Sequence, residues 1–428
     1  MTVKAIVGGS WGDEGKGKVT DALAAESSWV VRFQGGSNAG HTIINEYGKF
    51  ALHMLPSGVC HPHITNVIGP GAALDAETLL EELRTLAARG VPAPKLVISE
   101  RAQLVLPVHR LFDELEEERL GPRAFGSTRR GIAPFYADKY AKLGIQLAEL
   151  LTGDPARLLE RLERLLVSKN MLLAELYGRQ RQEASDMLEQ LLPLAAGLTP
   201  FVADTTELLH DAYRGGEPIL LEGQLGALRD PEHGIYPYST STSTLAAYGP
   251  VGAGLPPYAI TDVVTVVKAY ASCVGAGPFV SELFGEEAEE LRRRGGDAGE
   301  YGATTGRPRR MGWFDAPAVR YGCRLQGATE VALTNLDVLG YLEEIPVCTA
   351  YELEDGTVTD RFLVTAKLEK AKPVIRKLAG WGCDISEAGS YADLPREARR
   401  YVDYVEATAG VRISMISVGP RRDQLIRR

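Results

Sequence analysis

The sequence predicts an α/β fold with a large, mainly parallel central sheet, flanking helices and helical insertions. Three observations lead to this prediction: short β-branched runs recur along the chain, each run ends in a glycine or polar loop, and helical stretches lie between them. This alternation is typical of sheets that are buried on both faces. Ligands of such folds gather beyond the carboxyl ends of the strands, so the loops that follow the strands are the candidate site.

The predicted strands are continuous apolar runs rather than alternating ones, as expected for buried parallel strands. In chain order they are "VKAIVGG", "WVVRFQGG", "ITNVIGPG", "PILLEGQLG", "VVTVVKAY", "EVALTNLD" and "RISMISVGP". Apolar residues at helical spacing predict a helix over residues 76–89, and a helix-rich block runs from residue 138 to about 194.

The candidate loops extend from residue 8 to about residue 422, so a division into independent domains would divide one site. We therefore predict a single domain over residues 1–428. It carries a helix-rich insertion at about 138–200 and a loop-and-helix insertion at about 281–300. The sequence shows no linker, low-complexity tract or internal repeat.

Composition excludes several functional classes. The net charge of −9 argues against a nucleic-acid-binding protein, which needs an excess of clustered Lys and Arg. No apolar run approaches the roughly 20 residues that span a bilayer, so we expect no membrane insertion. The five cysteines are scattered and form no C-x-x-C pair, which together with the missing signal-peptide pattern predicts a cytoplasmic protein.

The first candidate loop, "GGSWGDEGKGKVTD" at residues 8–21, nearly matches a phosphate-binding P-loop. Val19 stands where that motif has a magnesium-binding hydroxyl. The glycines let backbone amides approach a polyphosphate, and Lys16 and Lys18 add positive charge. Asp13 cannot face a phosphate directly, because the two anions repel, so it needs a cation between them or a proton to remove.

Two further loops carry polar groups. "QGGSNAGHT" at residues 34–42 places His41 among glycines after a predicted strand, which favours acid catalysis or a phosphate contact. "GATTGRPRR" at residues 302–310 offers hydroxyls and three arginines to a small anion, either a carboxylate or a phosphate.

The tetrapeptide "TNLD" at residues 334–337 ends another predicted strand. Asp337 can accept both the ring N–H and the exocyclic amine of guanine, a pattern that adenine does not offer. Together with a phosphate loop, it favours GTP over ATP. The hydroxyl-rich stretches "GSTRRG" at 126–131 and "HGIYPYSTSTST" at 233–244 are candidates for holding a second phosphate.

Five motifs occur in one order across nearly the whole chain: "WGDEGKGK", "QGGSNAGHT", "HGIYPY", "KAY…VGAGPF" and "GATTGRPRRMGW". With these motifs the sequence resembles the adenylosuccinate synthetase family from about residue 3 to residue 422. The resemblance implies a P-loop-like GTP-binding ligase fold. It implies that IMP, L-aspartate and GTP give adenylosuccinate, GDP and phosphate through a 6-phosphoryl-IMP intermediate, with Mg²⁺, in a cytoplasmic homodimer of the AMP biosynthesis pathway.

The resemblance also implies roles for individual residues. Asp13 and His41 are the catalytic pair, and Asp13 and the carbonyl of Gly40 are the magnesium ligands. The expected GTP-binding residues are Gly12, Asp13, Glu14, Gly15, Lys16, Gly17, Lys18, Gly40, His41, Thr42, Arg309, Asn335, Leu336, Asp337, Ser417, Val418 and Gly419. The expected IMP-binding residues are Asp13, Glu14, Gly15, Lys16, Asn38, Ala39, Gly40, His41, Thr128, Lys142 (from the partner subunit), Gln224, Leu225, Thr240 and Arg307. The expected aspartate-binding residues are Ala303, Thr304, Thr305, Gly306, Arg307, Pro308 and Arg309.

Several positions depart from the common pattern of the family. Arg129 stands in place of a glycine, and Leu225 stands in place of an IMP-contacting glutamine, with Gln224 displaced by one residue. The other departures are Lys142 and Cys273 in place of arginines, Asn335 in place of a lysine and Ser37 in place of a histidine. Most departures surround the acceptor nucleotide. Two alternatives therefore stand beside IMP ligation: the same chemistry on another purine monophosphate, and a GTP-binding switch without ligase activity.

Overall fold

The computed structural model describes residues 3–296, 298–302 and 306–428. In this part of the chain the strands are β1 (Val3–Gly8), β2 (Trp29–Arg32), β3 (His41–Asn45), β4 (Gly48–Leu52), β5 (Thr65–Ile68), β6 (Ala73–Leu74), β7 (Lys95–Ser99), β8 (Gln103–Leu104), β9 (Val202–Ala203), β10 (Ile219–Glu222), β11 (Ile260–Lys268), β12 (Ala271–Cys273), β13 (Arg310–Gly312), β14 (Phe314–Asp315), β15 (Glu330–Thr334), β16 (Glu344–Glu352), β17 (Val358–Thr359), β18 (Lys372–Ala379), β19 (Ile413–Ser417) and β20 (Leu425–Arg427).

The helices of the described residues are α1 (Lys16–Ala24), α2 (Ala76–Ala88), α3 (Pro107–Leu120), α4 (Ile132–Tyr140), α5 (Leu147–Thr152), α6 (Pro155–Glu175), α7 (Ala184–Leu198), α8 (Thr205–Arg214), α9 (Tyr248–Ala253), α10 (Gly285–Arg294), α11 (Ala316–Gln326), α12 (Thr365–Leu368) and α13 (Arg396–Ala409).

Ten of these strands form one central sheet in the order β20, β19, β15, β11, β1, β10, β2, β5, β7, β9. Every neighbouring pair is parallel except β19 and β20, which are antiparallel. The seven strands predicted from apolar runs are the seven consecutive strands from β19 to β5, so the predicted fold class is confirmed. The predicted strands do not include β7, β9 and β20. β9 and β20 have only two and three residues, and β7 is an apolar run that no glycine follows.

Both faces of the sheet are buried, as continuous apolar strands require. Successive side chains of a strand point to opposite faces. Ile6 therefore packs with Val19 of α1 on one face, while Val7 packs with Leu209 of α8 on the other. The predicted helix at residues 76–89 is α2, and the side chain of Asp75 caps it by accepting from the amide of Thr78.

The helix-rich block contains α5, α6 and α7 and the end of α4. These helices pack against the β7 end of the sheet, where Leu162 and Leu191 share one apolar core with Ile98. In the second predicted insertion, residues 281–300, α10 is the helix that the described part of the chain contains. The single-domain organisation stays a prediction.

The carboxyl ends of the parallel strands meet at one edge of the sheet. The loop after β1, the loop after β2 and the segments that follow β10, β11, β15 and β19 all start at this edge. Residues that are hundreds of positions apart in the chain therefore meet there, and the candidate site lies there.

Candidate active site

The loop between β1 and α1 has a buried carboxylate at its centre. Glu14 is 2% exposed, and its Oε1 accepts from the amides of Ser10 (3.0 Å) and Gly12 (2.9 Å). Its Oε2 lies 2.6 Å from Nζ of Lys16. Glu14 thus braces the loop from inside, where its charge is compensated by amides and by an ammonium group. The carboxylate of Asp13 lies on the outside of the same loop, with 29% of its side chain exposed.

The loop opens onto a cavity of about 370 Å³, the phosphate-loop cavity. Helix α1 begins at this cavity, and the left-handed Gly15 at its N-cap (φ 89°) lets the chain turn into the helix. The amino end of α1 thereby offers unpaired amides and a positive dipole to an anion. Of the predicted site residues, those that line this cavity are Asp13, Gly15, Lys16, Gly17, Lys18, Ala39, Gly40, His41, Thr42, Leu225, Arg309, Asn335, Asp337, Ser417 and Gly419.

A larger cavity of about 650 Å³, the adjoining cavity, lies next to it. The predicted site residues that line the adjoining cavity are Asp13, Asn38, Ala39, Gly40, Thr128, Leu225 and Thr240. Asp13, Ala39, Gly40 and Leu225 line both cavities, so they form the junction between them. A group in one cavity can therefore react with a group in the other across the carboxylate of Asp13.

His41 is oriented by a carboxylate that sequence reasoning did not single out. Nδ1 of His41 lies 2.5 Å from Oε1 of Glu222, the last residue of β10, and Glu222 also accepts from the amide of Ser57 at 2.8 Å. Burial lowers the pKa of His41, with Glu222 opposing the shift, and Arg32 lowers it further. Burial alone would raise the pKa of Glu222, but the positive charges of His41 and Arg32 hold it at about 2. Glu222 is therefore ionised and fixes the ring of His41.

The other ring nitrogen of His41, Nε2, is buried and has no hydrogen-bond partner. His41 lines the phosphate-loop cavity. Once its ring is protonated, an anion that enters the cavity can accept a hydrogen bond from Nε2. The negative charge of Glu222 on the far side favours that protonation.

The far end of the phosphate-loop cavity contains Asp337. Burial raises the pKa of this carboxyl to about 6, against the opposing effect of Lys18. Asn335, which has a positive φ of 57°, donates from Nδ2 to the hydroxyl of Tyr270 at 3.2 Å. A carboxylate in such a partly desolvated position binds paired N–H donors strongly.

Lys18 lines the same cavity and holds the segment at residues 417–424. Its Nζ donates to Oγ of Ser417 (2.7 Å) and to the carbonyls of Gly419 (2.6 Å) and Gln424 (2.8 Å). Burial lowers the pKa of Lys18 to about 8, although Asp337 and Asp423 oppose the shift. Lys18 thus connects the phosphate loop to the C-terminal side of the site.

The stretch at residues 126–131 borders the adjoining cavity and is held by two acids of α3. Glu117 accepts from the amides of Phe125, Gly126 and Ser127 at 2.9–3.1 Å, and Asp113 accepts from the amide of Gly131 at 2.8 Å. These amides are therefore already paired. Ser127 and Thr128 both line the cavity, but the hydroxyl of Ser127 accepts from the amide of Arg129 at 3.1 Å, so the hydroxyl of Thr128 is the candidate group for a ligand.

Gln224 and Leu225 have different environments. Gln224 is 1% exposed, and its side-chain amide pairs with the backbone of Gly36, accepting at 3.1 Å and donating at 2.9 Å. Leu225 has a positive φ of 58° and places an apolar side chain at the junction of the two cavities. An acceptor nucleotide there would meet Leu225, and the amide of Gln224 is occupied elsewhere.

The remaining predicted residues line neither cavity. Arg307 donates to the carbonyl of Gly126 at 2.6 Å, which links the arginine-rich loop to the stretch at 126–131. Lys142 is exposed just beyond α4. Those that lie near the cavities without lining them are Gly12, Glu14, Gly306, Pro308, Leu336 and Val418. The predicted residues Ala303, Thr304 and Thr305 lie outside the described residues.

Comparison with known proteins identifies the family. The model of a family described as adenylosuccinate synthetase matches residues 5–426. The adenylosuccinate synthetase of Mycobacterium marinum is 46% identical over 427 residues, covering 100% of this chain and 98% of the relative. The chain belongs to the adenylosuccinate synthetase family.

Another adenylosuccinate synthetase, from Dehalococcoides mccartyi, is 44% identical, and the match covers 100% of both chains. The solved structure of fully ligated adenylosuccinate synthetase from Plasmodium falciparum has a TM-score of 0.92 and 32% identity, with both chains covered completely. A cyanophage S-2L succinoaminodeoxyadenylate synthetase bound to dGMP and dATP shares the fold, with a TM-score of 0.63 and 21% identity over 100% of this chain and 95% of that one.

Membership of the adenylosuccinate synthetase family confirms the predicted enzyme class. The chain is a GTP-dependent ligase of purine and AMP biosynthesis that joins L-aspartate to IMP, giving adenylosuccinate, GDP and phosphate. The switch without ligase activity is not favoured. In the described residues no helix has the length and apolar character needed to span a bilayer.

Sequence reasoning missed three buried groups at the site of this adenylosuccinate synthetase family member: Glu222, Lys268 and Glu300. Glu222 and Lys268 end the apolar strands β10 and β11, where a charged residue is unusual enough to be noticed. Nothing in the sequence distinguishes Glu300 as a buried residue, because it lies in a polar segment where acidic residues are common.

Proposed function

We propose that the phosphate-loop cavity binds GTP, that the adjoining cavity binds IMP, and that the reaction takes place at their junction. One observation carries this proposal: Asp13, Ala39, Gly40 and Leu225 line both cavities. A phosphate of GTP bound at the amino end of α1 and the purine of an IMP whose own phosphate lies beside Thr128 and Thr240 would then face each other across Asp13.

In this mechanism Asp13 acts as the general base. Its carboxylate removes the N1 proton of IMP, and the 6-oxygen attacks the γ-phosphorus of GTP, which releases GDP and leaves 6-phosphoryl-IMP. The neutral amine of L-aspartate then adds at C6 and loses one proton to the departing phosphate, which leaves with the former 6-oxygen. An oxygen that leaves as phosphate is a far better leaving group than hydroxide, so the phosphorylation makes the substitution possible.

His41 stabilises the phosphoryl group during transfer. Its unpaired Nε2 faces the phosphate-loop cavity, and Glu222 holds its Nδ1. Once the ring is protonated, Nε2 is a donor whose position Glu222 has already fixed, so little reorganisation is needed when charge develops on the transferring oxygens. Lys16 adds a buried positive charge to the same cavity.

The site fits a magnesium ion bound partly by substrate. In the described residues no group of three His, Cys, Asp or Glu side chains forms a metal site, so protein groups alone do not make a cage there. Mg²⁺ is commonly held by one or two hard oxygen ligands together with phosphates and water. The carboxylate of Asp13 and the carbonyl of Gly40 are such ligands and line the same cavity. When bound, the ion would neutralise charge on the phosphates.

Recognition of the other groups is proposed from the same layout. Asp337 pairs with guanine, Asn335, Leu336 and residues 417–419 frame it, and Lys18 holds the frame. For L-aspartate the support is the resemblance to the family rather than the layout: it would bind at residues 303–309 with Arg307 and Arg309 as its cationic partners, and Arg307 would also reach IMP. The glycines and amides of residues 12–18 and 38–42 contact phosphate and IMP.

We further propose that the protein is a cytoplasmic homodimer that works as one α/β domain per subunit. Lys142 would reach the IMP of the partner subunit from its exposed position beyond α4. Each site would then be completed by the second copy, and dimerisation would be part of the function.

The test uses IMP labelled with ¹⁸O at the 6-position, together with GTP, Mg²⁺ and L-aspartate. The label is expected in the released phosphate, and the product is expected to have the mass of adenylosuccinate. Asp13→Asn tolerates the positive φ of residue 13 and is expected to lower kcat by about 10²- to 10⁴-fold, the contribution of a general base. Unlabelled phosphate, or an Asp13→Asn protein with wild-type turnover, would refute the mechanism.

A further inference from the structure

Glu300 precedes the arginine-rich loop (residues 302–310) in the chain, and its carboxylate is buried. It is 1% exposed, and its Oε1 accepts from Nζ of Lys268 at 2.7 Å and from the hydroxyl of Tyr270. Lys268 is 5% exposed and is itself fixed by a second bond to Oγ of Ser272 at 2.7 Å. The position of this carboxylate is therefore determined by strand β11 and the residues that follow it.

The other oxygen of Glu300, Oε2, accepts from Nη1 of Arg309. The backbone repeats the connection, because the amide of Arg309 donates to the carbonyl of Glu300 at 2.9 Å. Arg309 is therefore attached to Glu300 through both its side chain and its main chain, and cannot turn independently of it.

The Nε of Arg309 points the other way. It lies 3.2 Å from Oδ2 of Asp13, yet it is buried and makes no aligned hydrogen bond. Nε of Arg309 and Oδ2 of Asp13 thus form an ion pair without an aligned hydrogen bond, so this N–H can still donate to a ligand that enters the phosphate-loop cavity. Arg309, Lys268, Asp13 and Glu300 all line that cavity, and their two positive and two negative charges balance.

We propose that Glu300 is a positioning residue for phosphoryl transfer, which holds Arg309 by one edge so that its unpaired Nε faces Asp13 and the transferring group. This inference rests on the proposed function and adds to it a residue for which no role had been assigned. Glu300 acts through Arg309. Lys268 and Tyr270 contribute indirectly, because they hold the carboxylate of Glu300 that in turn holds Arg309.

In this proposal the contributions of Glu300 and Arg309 to kcat are coupled. If Glu300 acts through Arg309, the loss caused by Glu300→Gln depends on the presence of Arg309. A double-mutant cycle over Glu300→Gln and Arg309→Met measures this dependence. A merely structural role of Glu300 would give independent losses.

In the cycle, Glu300→Gln is expected to lower kcat on the order of 10²-fold, the effect of about 1 Å of misplacement at a reacting group. In the Arg309→Met background, the same change is expected to cause little further loss. KM for IMP is expected to stay at the wild-type value, because Glu300 does not line the adjoining cavity. Equal losses in both backgrounds, or a raised KM for IMP with unchanged kcat, would overturn the proposal.

Glu300→Asp is the conservative variant. It keeps the charge but shortens the side chain by one methylene, so it is expected to restore folding stability without restoring kcat. Full recovery of kcat by Glu300→Asp would contradict a role in precise positioning.

Two controls keep the result interpretable. Glu330→Gln removes the carboxylate of the Lys4–Glu330 ion pair (2.9 Å) at the opposite end of the sheet, and is expected to leave kcat unchanged. If Glu300→Gln fails to fold because Lys268 is left unpaired, the cycle is measured with Glu300→Asp in place of Glu300→Gln, and its loss of kcat is expected to depend on Arg309 in the same way.

Asp13→Asn is assayed alongside. An active Asp13→Asn protein would remove the proposed function itself. An inactive Asp13→Asn protein together with additive losses in the cycle would remove only the role of Glu300.

Discussion

Five residues other than glycine have a positive φ in the described part of the chain: Asp13, Arg129, Lys142, Leu225 and Asn335. All five are positions that the sequence singled out, either as site residues or as departures from the family pattern. Asp and Asn tolerate this conformation, whereas a larger side chain raises its cost to about 1–2 kcal/mol. Such residues persist only where the surrounding structure holds them, which is typical of functional sites. Of the five, Asp13, Leu225 and Asn335 line the two cavities and Arg129 and Lys142 line neither, so the strained backbone coincides with the candidate site at three positions.

At Asp337 the pKa of about 6 leads to a pH-dependent prediction. A carboxyl group with this pKa is ionised above pH 6 and protonated below it, and only the ionised form accepts both N–H groups of guanine. KM for GTP is therefore expected to rise as the pH falls through about 6, approaching tenfold per pH unit below it. Steady-state kinetics from pH 5 to 8 test this, with KM for IMP as the internal comparison.

The matched variant for this prediction is Asp337→Asn. Its preference for GTP over XTP is expected to weaken, and its KM for GTP should not vary with pH through this group. A pH-independent KM for GTP in the unmodified protein would contradict the assignment. The linkage to stability has the opposite direction: a raised folded-state pKa means that the empty protein loses stability as the pH rises from about 4 to 6.

At the scale of secondary-structure elements, charged residues end the buried strands where the site begins. Glu222 ends β10 and Lys268 ends β11, and each fixes a residue that lines the phosphate-loop cavity: Glu222 fixes His41, and Lys268 fixes Glu300. The strands thus serve as rigid supports, whose last residues determine the orientation of groups on the loops.

Glu222→Gln tests this support. The neutral amide cannot stabilise a protonated His41, so kcat is expected to fall on the order of 10²-fold, comparable to the loss of one preorganised donor. Asp138→Asn is the matched control, because Asp138 also faces a buried histidine, His109, at 3.1 Å, and lines neither cavity. We expect that control to lose stability but to keep its kcat per folded molecule. Similar kcat losses in both variants would argue against a specific role of Glu222.

The strands and their loops could be predicted because apolar runs and glycine-rich turns are local properties of a sequence. The seven predicted strands and the loop with Asp13 are of this kind. The partners of the buried charges could not be predicted, because residues 41 and 222, or 18 and 417, meet only after the strands have been ordered in the sheet. The orientation of Glu14 into its own loop was also not predicted, although its partners Ser10, Gly12 and Lys16 are local, because a glycine-rich sequence does not determine which way a loop side chain points.

On the scale of the whole molecule, the proposed shared site makes activity depend on two copies of the chain. Lys142 is exposed beyond α4, whereas Asp13 lies at the junction of the two cavities. If each site takes Lys142 from the partner, Asp13→Asn damages the site of its own subunit, whereas Lys142→Glu damages the site of the partner subunit. Hybrid dimers then contain one site with both original residues.

We expect each variant alone to be nearly inactive, and their mixture, after dissociation and reassociation, to recover about a quarter of the wild-type activity by random pairing. The measurement is turnover as a function of mixing ratio, with the chain mass in solution determined alongside. A mixture that is no more active than its components, or an active monomer, would exclude the shared site.

The bonds from Lys18 to Gly419 and Gln424 join the first loop of the sheet to residues about 400 positions later. Because β19 is among the last strands of the chain, a ribosome must translate nearly the whole message before residues 417–420 can complete the phosphate-loop cavity. Nascent chains should therefore be unable to consume GTP, and the pocket should form late and all at once, when β19 docks beside β15.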